Sequence, residues 1–172
     1  MMEIRTERLV LRSVDMSYVE STFAYAGDVE NTKFMMFLPY DSIEETAESI
    51  RDAMKEWGSA EPARWEFVIL KDGAHIGGIT FYFLEDRTQA ELGWVIHKDH
   101  WNKGYATEAA AELIRLAKTE WGITRVIACC DSENEGSKGV MKKLGMQYHS
   151  TGTRKNRSSE EERVELIFEI ML

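Results

Sequence analysis

The run Trp101-Asn102-Lys103-Gly104-Tyr105-Ala106-Thr107-Glu108-Ala109 holds the residue types and spacing best suited to chemistry in this chain. Just upstream, Ala90-Glu91-Leu92-Gly93-Trp94-Val95-Ile96 reads as a strand. Downstream, Ala106, Ala109, Ala110, Leu113, Leu116, Ala117 and Trp121 recur at helical spacing. A helix that starts at such a turn has N–H groups without intrahelical partners, and its dipole puts partial positive charge at the same end. Gly104 lets the backbone approach an anion with no side chain between them. The pattern predicts a cradle for a polyphosphate, wrapped by Asn102, Lys103, Gly104, Tyr105, Ala106 and Thr107. Lys103 either adds charge to that cradle or stands as a solvated turn lysine. Trp101 and Tyr105 either pack on the bound group or belong to the core.

A set of elements must hold this turn in place. Leu9 and Leu11 alternate within Thr6–Arg12, a first strand. Asp15 is placed to cap a helix that runs to about Ala26 and stops at Gly27. Asp28–Phe37 is ambiguous, a short second helix being one reading, and Pro39 closes it. Ser42-Ile43-Glu44-Glu45 has capping-box spacing for a helix over Ile43–Trp57 that stops at Gly58. From Arg64 the period changes to two. Arg64–Leu70 and Ala74–Leu84 flank Lys71-Asp72-Gly73, a hairpin signal, and Thr88–Ile96 is the next antiparallel strand. Gly122 ends the helix that follows the glycine turn, and Arg125–Cys130 is a short apolar strand. Strand, helix and strand make a βαβ crossover with one parallel pair. A further helix over Gly136–Leu144 ends at Gly145. Strands over Met146–Thr153 and Val164–Leu172 close the chain, and the polar Lys155–Glu162 between them reads as a mobile loop. The sum is an α/β protein with a central, twisted, mostly antiparallel sheet of about six or seven strands, flanked by about four or five helices.

Composition narrows the function classes. A length of 172 residues is read as one domain, 1–172, and 44% hydrophobic with 30% charged residues suits a globular protein. The net charge of −9 argues against nucleic acid as a partner, which needs a basic footprint, and favours cationic partners by long-range steering. No apolar run reaches the roughly 20 residues of a membrane span, and Met-Met-Glu-Ile-Arg-Thr-Glu-Arg is no signal peptide. A cytoplasmic location with no membrane partner is therefore expected. Cys129 and Cys130 are adjacent, with Cα atoms about 3.8 Å apart, which is too close for an ordinary disulfide. No metal-ligand spacing surrounds them, and no metal is expected. Exposed strand edges in this architecture often pair, so a homodimer is a further expectation.

Three blocks stand in order along the chain: Thr6-Glu7-Arg8-Leu9-Val10-Leu11-Arg12; Ala90–Ile96 with Trp101–Ala109; and Asn134-Glu135-Gly136-Ser137 with Lys143-Leu144-Gly145-Met146. Together they resemble the GNAT family of acetyl-CoA-dependent N-acetyltransferases. The resemblance spans nearly the whole chain. It is nearest to the branch of ribosomal-protein N-terminal and spermidine acetyltransferases. The wider family usually has Gln or Arg at Trp101 and Gly at Ala106, but both substitutions are familiar in this branch. Met146 replaces a usual Phe. Many relatives place a Tyr seven residues after the asparagine, where this chain has Met141.

The resemblance implies a GNAT-like fold, acetyl-CoA as co-substrate, and direct attack of a primary amine on the thioester in a ternary complex. It implies that Trp94, Val95 and Ile96 offer backbone groups to the pantetheine arm, one N–H also polarising the thioester carbonyl. By the same resemblance Asn134 hydrogen-bonds the arm, a role compatible with capping its helix. Ser137 is implied as proton donor to the departing thiolate, or is an ordinary first-turn serine. Glu91 is implied as acceptor of the amine's proton through a water, or is an outward strand residue paired with a base such as Arg87. Glu108, in a first helical turn, is assigned to structure. His97, Lys98, His100, Lys138, Lys142 and Lys143 form a local basic excess suited to phosphates or simply to solvent.

The acceptor is a protein or peptide N-terminus, or a small cationic amine such as a polyamine or antibiotic. Relatives build that site from the N-terminal helices and the late hairpin loop. Here those regions offer Phe34, Met35, Met36, Phe37, Tyr40, Trp57 and Trp65 beside Asp28, Glu30 and Asp41, residues that serve equally as helix-packing core. No residue reads as a covalent acyl carrier. The alternative reading is a non-catalytic acyl-CoA-binding sensor domain.

Overall fold

A computed structural model describes residues 2–84 and 86–172, and in it the alternating segments build one sheet. Its strands are β1 (Glu3–Arg5), β2 (Leu9–Ser13), β3 (Arg64–Lys71), β4 (Ala74–Phe83), β5 (Gln89–Ile96), β6 (Arg125–Asp131), β7 (Gln147–Lys155) and β8 (Glu162–Met171). Among the described residues the 8-stranded order is β1-β2-β3-β4-β5-β6-β8-β7, and only β5 and β6 run parallel. Flanking helices are α1 (Val19–Ala26), α2 (Val29–Thr32), α3 (Ile43–Trp57), α4 (Tyr105–Thr119) and α5 (Glu135–Lys143). The strand expected over Thr6–Arg12 begins only at Leu9, and the residues before its turn, Glu3–Arg5, add a further short strand to the sheet. The Thr6 N–H donates to the Leu9 carbonyl (3.0 Å), and the Leu9 N–H donates to Thr6 Oγ1 (2.9 Å), so the chain reverses between β1 and β2.

Alternation gives the sheet two buried faces. Leu9 and Leu11 of β2, Phe67 and Ile69 of β3, and Ile79 and Phe81 of β4 meet Ala109, Ala110, Leu113 and Ala117 of α4. On the opposite face Val68 and Leu70 pack with Val14 and with Ile50 and Ala53 of α3. The Phe67-Val68-Ile69-Leu70 run is continuous because β3 is covered on both sides. Each large side chain so buried is worth about 1.5–3 kcal/mol, and a one-residue slip would move all of them to the wrong face. Trp57 and Trp65 stack at 5.5 Å, with Trp121 edge-on to Trp65 at 5.0 Å. Trp57 and Trp65 therefore pack against the core.

The segment after β7 differs from the mobile loop that its polarity suggests. Asn156 is buried, and its Nδ2 donates to Asp131 Oδ2 at 2.7 Å. The Arg157 N–H reaches the Met35 carbonyl (3.0 Å), while its guanidinium grips Asp41 (2.8 Å) and Glu45 (2.6 Å). The hairpin loop thus ties down the 33–41 segment.

What positions the site is a divergence of strands. β5 and β6 pair only from Gln89–Arg125 to Glu91–Ile127. Beyond that point β5 follows β4 to Ile96, and β6 follows β8 to Asp131. A wedge opens at the C-terminal ends of the parallel pair, the place where open α/β sheets bind ligands. α4 and α5 both begin there.

Candidate active site

Backbone forms the edges of the wedge. The His97 N–H bonds the Ile76 carbonyl (2.8 Å), so by antiparallel alternation the odd residues of β5 bond β4. Val95 therefore spends its backbone groups on β4, while Trp94 and Ile96 turn theirs to the wedge. On the other edge the Ser132 N–H bonds the Val164 carbonyl (2.9 Å), which leaves Cys129 facing the wedge. The Ile96 carbonyl is already taken, by Trp101 Nε1 (2.7 Å) and by Asn31 Nδ2 (3.1 Å). Both groups of Trp94 and the N–H of Ile96 are left for an extended ligand to pair with like an added strand.

After β5 the chain takes left-handed conformations at Asn102 (φ 59°) and Gly104 (φ 82°). Asn and Gly adopt them at least cost, and such alternation directs successive N–H groups to one concavity. Among the described residues the amides of Asn102 through Thr107 have no protein acceptor, and Gly104 caps α4 without a side chain. The first helical bond runs from the Glu108 N–H to the Gly104 carbonyl (3.0 Å). α5 starts at Asn134, whose Oδ1 accepts from the Ser137 N–H (3.1 Å). Asn134 thus caps its helix as expected. Both helix N-termini face one cleft of about 510 Å³. Trp94, Val95, Ile96, Trp101, Asn102, Gly104, Tyr105, Ala106, Thr107, Asn134 and Ser137 all line it.

Two of the expected residues lie off its wall. Lys103 Nζ donates to the Asp99 carbonyl (2.8 Å), away from the cleft, and Glu91 is on the sheet face opposite α4. The local basic excess is largely spent as well. Lys98 lies between Asp28 (2.7 Å) and Glu30 (2.9 Å), and Lys138 bonds Glu135 and the Ser132 carbonyl. His100 lines the cleft, but burial and then Lys103 and His97 push its pKa down, so it is neutral at pH 7. Lys143 remains on the wall. Lys33 also lines the cleft, and oriented amides add to the positive potential of these two lysines.

The Acetyltransferase (GNAT) domain family matches residues 8–147. The chain belongs to the GNAT acetyltransferase family. An uncharacterized N-acetyltransferase of Bacillus subtilis strain 168, YnaD, is 34% identical over 146 residues, covering 85% of this chain and 83% of the relative. A GNAT-family acetyltransferase structure from Bacillus anthracis superposes with a TM-score of 0.86 at 26% identity, over 99% of this chain and 98% of the other. RimL, a ribosomal L7/L12 alpha-N-protein acetyltransferase solved with coenzyme A, shares the fold at TM-score 0.88 and 15% identity, over 99% and 98% of the two chains.

In this GNAT acetyltransferase the groups able to move protons lie around the wedge. Burial raises the pKa of Glu91, and Glu165 raises it further, against Cys129 and Arg154. The alternative partner Arg87 is elsewhere, on the Pro62 carbonyl (3.0 Å) and over the Phe83 ring. Burial pushes Cys129 up to about 12 and Cys130 up to about 11, which makes them inert thiols. Met141 is fully buried in the core, while Ser137, one turn earlier, stands on the cleft wall.

Of the suggested acceptor residues, Glu30, Phe34 and Met35 line the cleft. Asp28 and Asp41 are paired with Lys98 and Arg157, and Tyr40 donates to Ser49 Oγ (2.6 Å). Sequence reasoning missed Asn31, whose Oδ1 also accepts from the Lys98 N–H (2.6 Å). It missed Glu165 too, and Glu66, whose carboxyl burial raises. No local signal marks them, because sheet order and helix docking bring them in.

Proposed function

We propose that this GNAT domain moves the acetyl group of acetyl-CoA to a primary amine by direct attack in a ternary complex. The observation that carries the reading is the convergence of two helix N-termini and the unpaired amides of Asn102–Thr107 on a cleft edged by the free backbone of Trp94 and Ile96. The amide turn and Lys143 suit the diphosphate. Trp94 and Ile96 align the pantetheine arm, and a wedge-facing N–H stabilises the oxygen that gains charge. Asn134 steadies the same arm from the far wall.

Glu91 takes one proton from the ammonium group. Trp94 lies three residue steps farther along the strand, about 10 Å, so water relays that proton. The amine lone pair then forms the C–N bond as the C–S bond breaks. The second proton leaves nitrogen and passes through water to Ser137 as Ser137 gives its own to the departing thiolate, so the hydroxyl is restored and the thiol leaves neutral. The acceptor is a protein or peptide N-terminus or a small cationic amine, drawn to the face that holds Glu66, Glu91 and Glu165. Among the described residues no helix is long and apolar enough to cross a membrane, and we place the enzyme in the cytoplasm.

Calorimetric titration with CoA, then acetyl-CoA consumption against peptide N-termini, polyamines and aminoglycosides, tests the reading. Binding and turnover with one amine class are expected. Failure to bind CoA would end it. Met141 supplies no proton donor, which favours the sensor as second reading; binding without turnover across the whole panel would select it.

A further inference from the structure

Given that the Asn102–Thr107 turn holds a diphosphate, we infer that Arg8, in the reversal between β1 and β2, is a positioning residue for that cradle. It orients an amide and cancels a carboxylate that would oppose the anion. Arg8 Nη1 donates to the Lys103 carbonyl at 3.1 Å. In a trans peptide the carbonyl and the following N–H point in opposite directions, so holding the Lys103 oxygen outward turns the Gly104 N–H inward. The guanidinium also lies over the Tyr105 ring, 4.8 Å from its centroid. A Cβ on Gly104 would stand 3.4 Å from Arg8 Nη2, so the bracing group abuts the turn itself.

The second effect concerns Glu108. A carboxylate in the first turn of α4 suits the helix dipole, yet it also repels a phosphate bound one turn away. Here the β1–β2 reversal saturates it. Arg8 Nε donates to Glu108 Oε2 (2.6 Å), and the Arg8 N–H (2.8 Å) and Thr6 Oγ1 (2.6 Å) donate to Oε1. One planar fork reaches carboxylate and carbonyl together, which a lysine ammonium does not. Arg8 therefore supplies both geometry and charge from a point far from α4 in sequence.

Calorimetry of the full chain with CoA, and with pantetheine, which lacks the diphosphate, separates this role from plain stabilisation. Arg8→Gln is expected to weaken CoA roughly tenfold and to leave pantetheine unchanged. Arg8→Gln/Glu108→Gln should recover part of that loss, because the unpaired carboxylate is gone. Arg8→Lys should fall between Arg8→Gln and the wild type, and it carries the test should Arg8→Gln melt below the assay temperature. Equal loss for both ligands, or no loss for CoA, would overturn the inference. A wild type that binds neither would instead overturn the functional reading.

Discussion

Gly104 stands at φ 82° beside Arg8, and its lack of a side chain serves both the turn and the anion. Gly104→Ala places a Cβ in left-handed backbone at a cost of about 1–2 kcal/mol. Calorimetry should show CoA affinity lowered roughly tenfold, with the protein still folded. Unchanged affinity would mean that the amides of this turn do not bind the diphosphate. Glu91 makes a different case, because its pKa is raised by burial and by Glu165. A general base works only when ionised, so turnover should fall as pH drops through a value above the ordinary carboxylate range. Glu91→Gln should lower kcat about 100-fold, leave CoA binding intact, and remove that acidic limb from the pH–rate profile. A limb that survives the substitution belongs to another group. The cradle was legible because it is contiguous in sequence. Arg8, Asn31 and Glu165 were not, because each reaches the site only through tertiary docking.

At the scale of elements, legibility followed the locality of the signal. Gly27 and Gly58 end their helices as expected, Gly145 follows α5, and Asp72-Gly73 turns the β3–β4 hairpin with both residues at positive φ. Each of those stops is written within a few residues. The break at Thr6 and the anchored 156–158 segment were missed because a side-chain bond and distant partners decide them. α5 shows a packing constraint that resemblance alone conceals. Met141, where many relatives carry a Tyr, fills closed core beside Cys130, Met146 and Phe168. Met141→Tyr should cost about 1–3 kcal/mol by overpacking and should not raise kcat, as thermal melting and steady-state rates would show. A gain in turnover would mean that this position faces the thiolate after all.

β6 ends at Asp131, which has no exposed side-chain surface and accepts from Asn156, Arg163 and the Glu133 N–H. Against the burial that would raise its pKa, these partners hold it low. Asp131→Ala strands the buried Asn156 amide and leaves Arg163 with Glu133 alone, and denaturant melts should register a loss of about 3 kcal/mol. A loss below about 1 kcal/mol would show that the hub is dispensable.

For the whole molecule, acid stability is a contest between buried groups of opposite habit. His75 packs under α1, with Tyr18 and Tyr25 edge-on at 5.2 and 5.5 Å. Its Nε2 lies 2.9 Å from the Gly77 carbonyl, which assigns the proton there, and Nδ1 accepts from Ser21 Oγ at 2.8 Å. Burial drives its pKa down to about 4, against the Gly77 bond. Between about 6.5 and 4 the unfolded chain therefore binds the proton that the folded chain refuses, and stability falls with pH by about 2 kcal/mol across that window. Glu66 and Glu91 act the other way. Their raised pKa values mean that the folded state takes up protons first and gains stability as pH falls toward the ordinary carboxylate range. Wild-type melting alone would blend these slopes, so His75→Gln is the control. The stability margin of wild type over variant should shrink steadily from pH 7 to pH 4 and then level off, while Glu66 and Glu91 cancel in the difference. A margin independent of pH would mean that the imidazole stays protonated, or solvated, beneath α1.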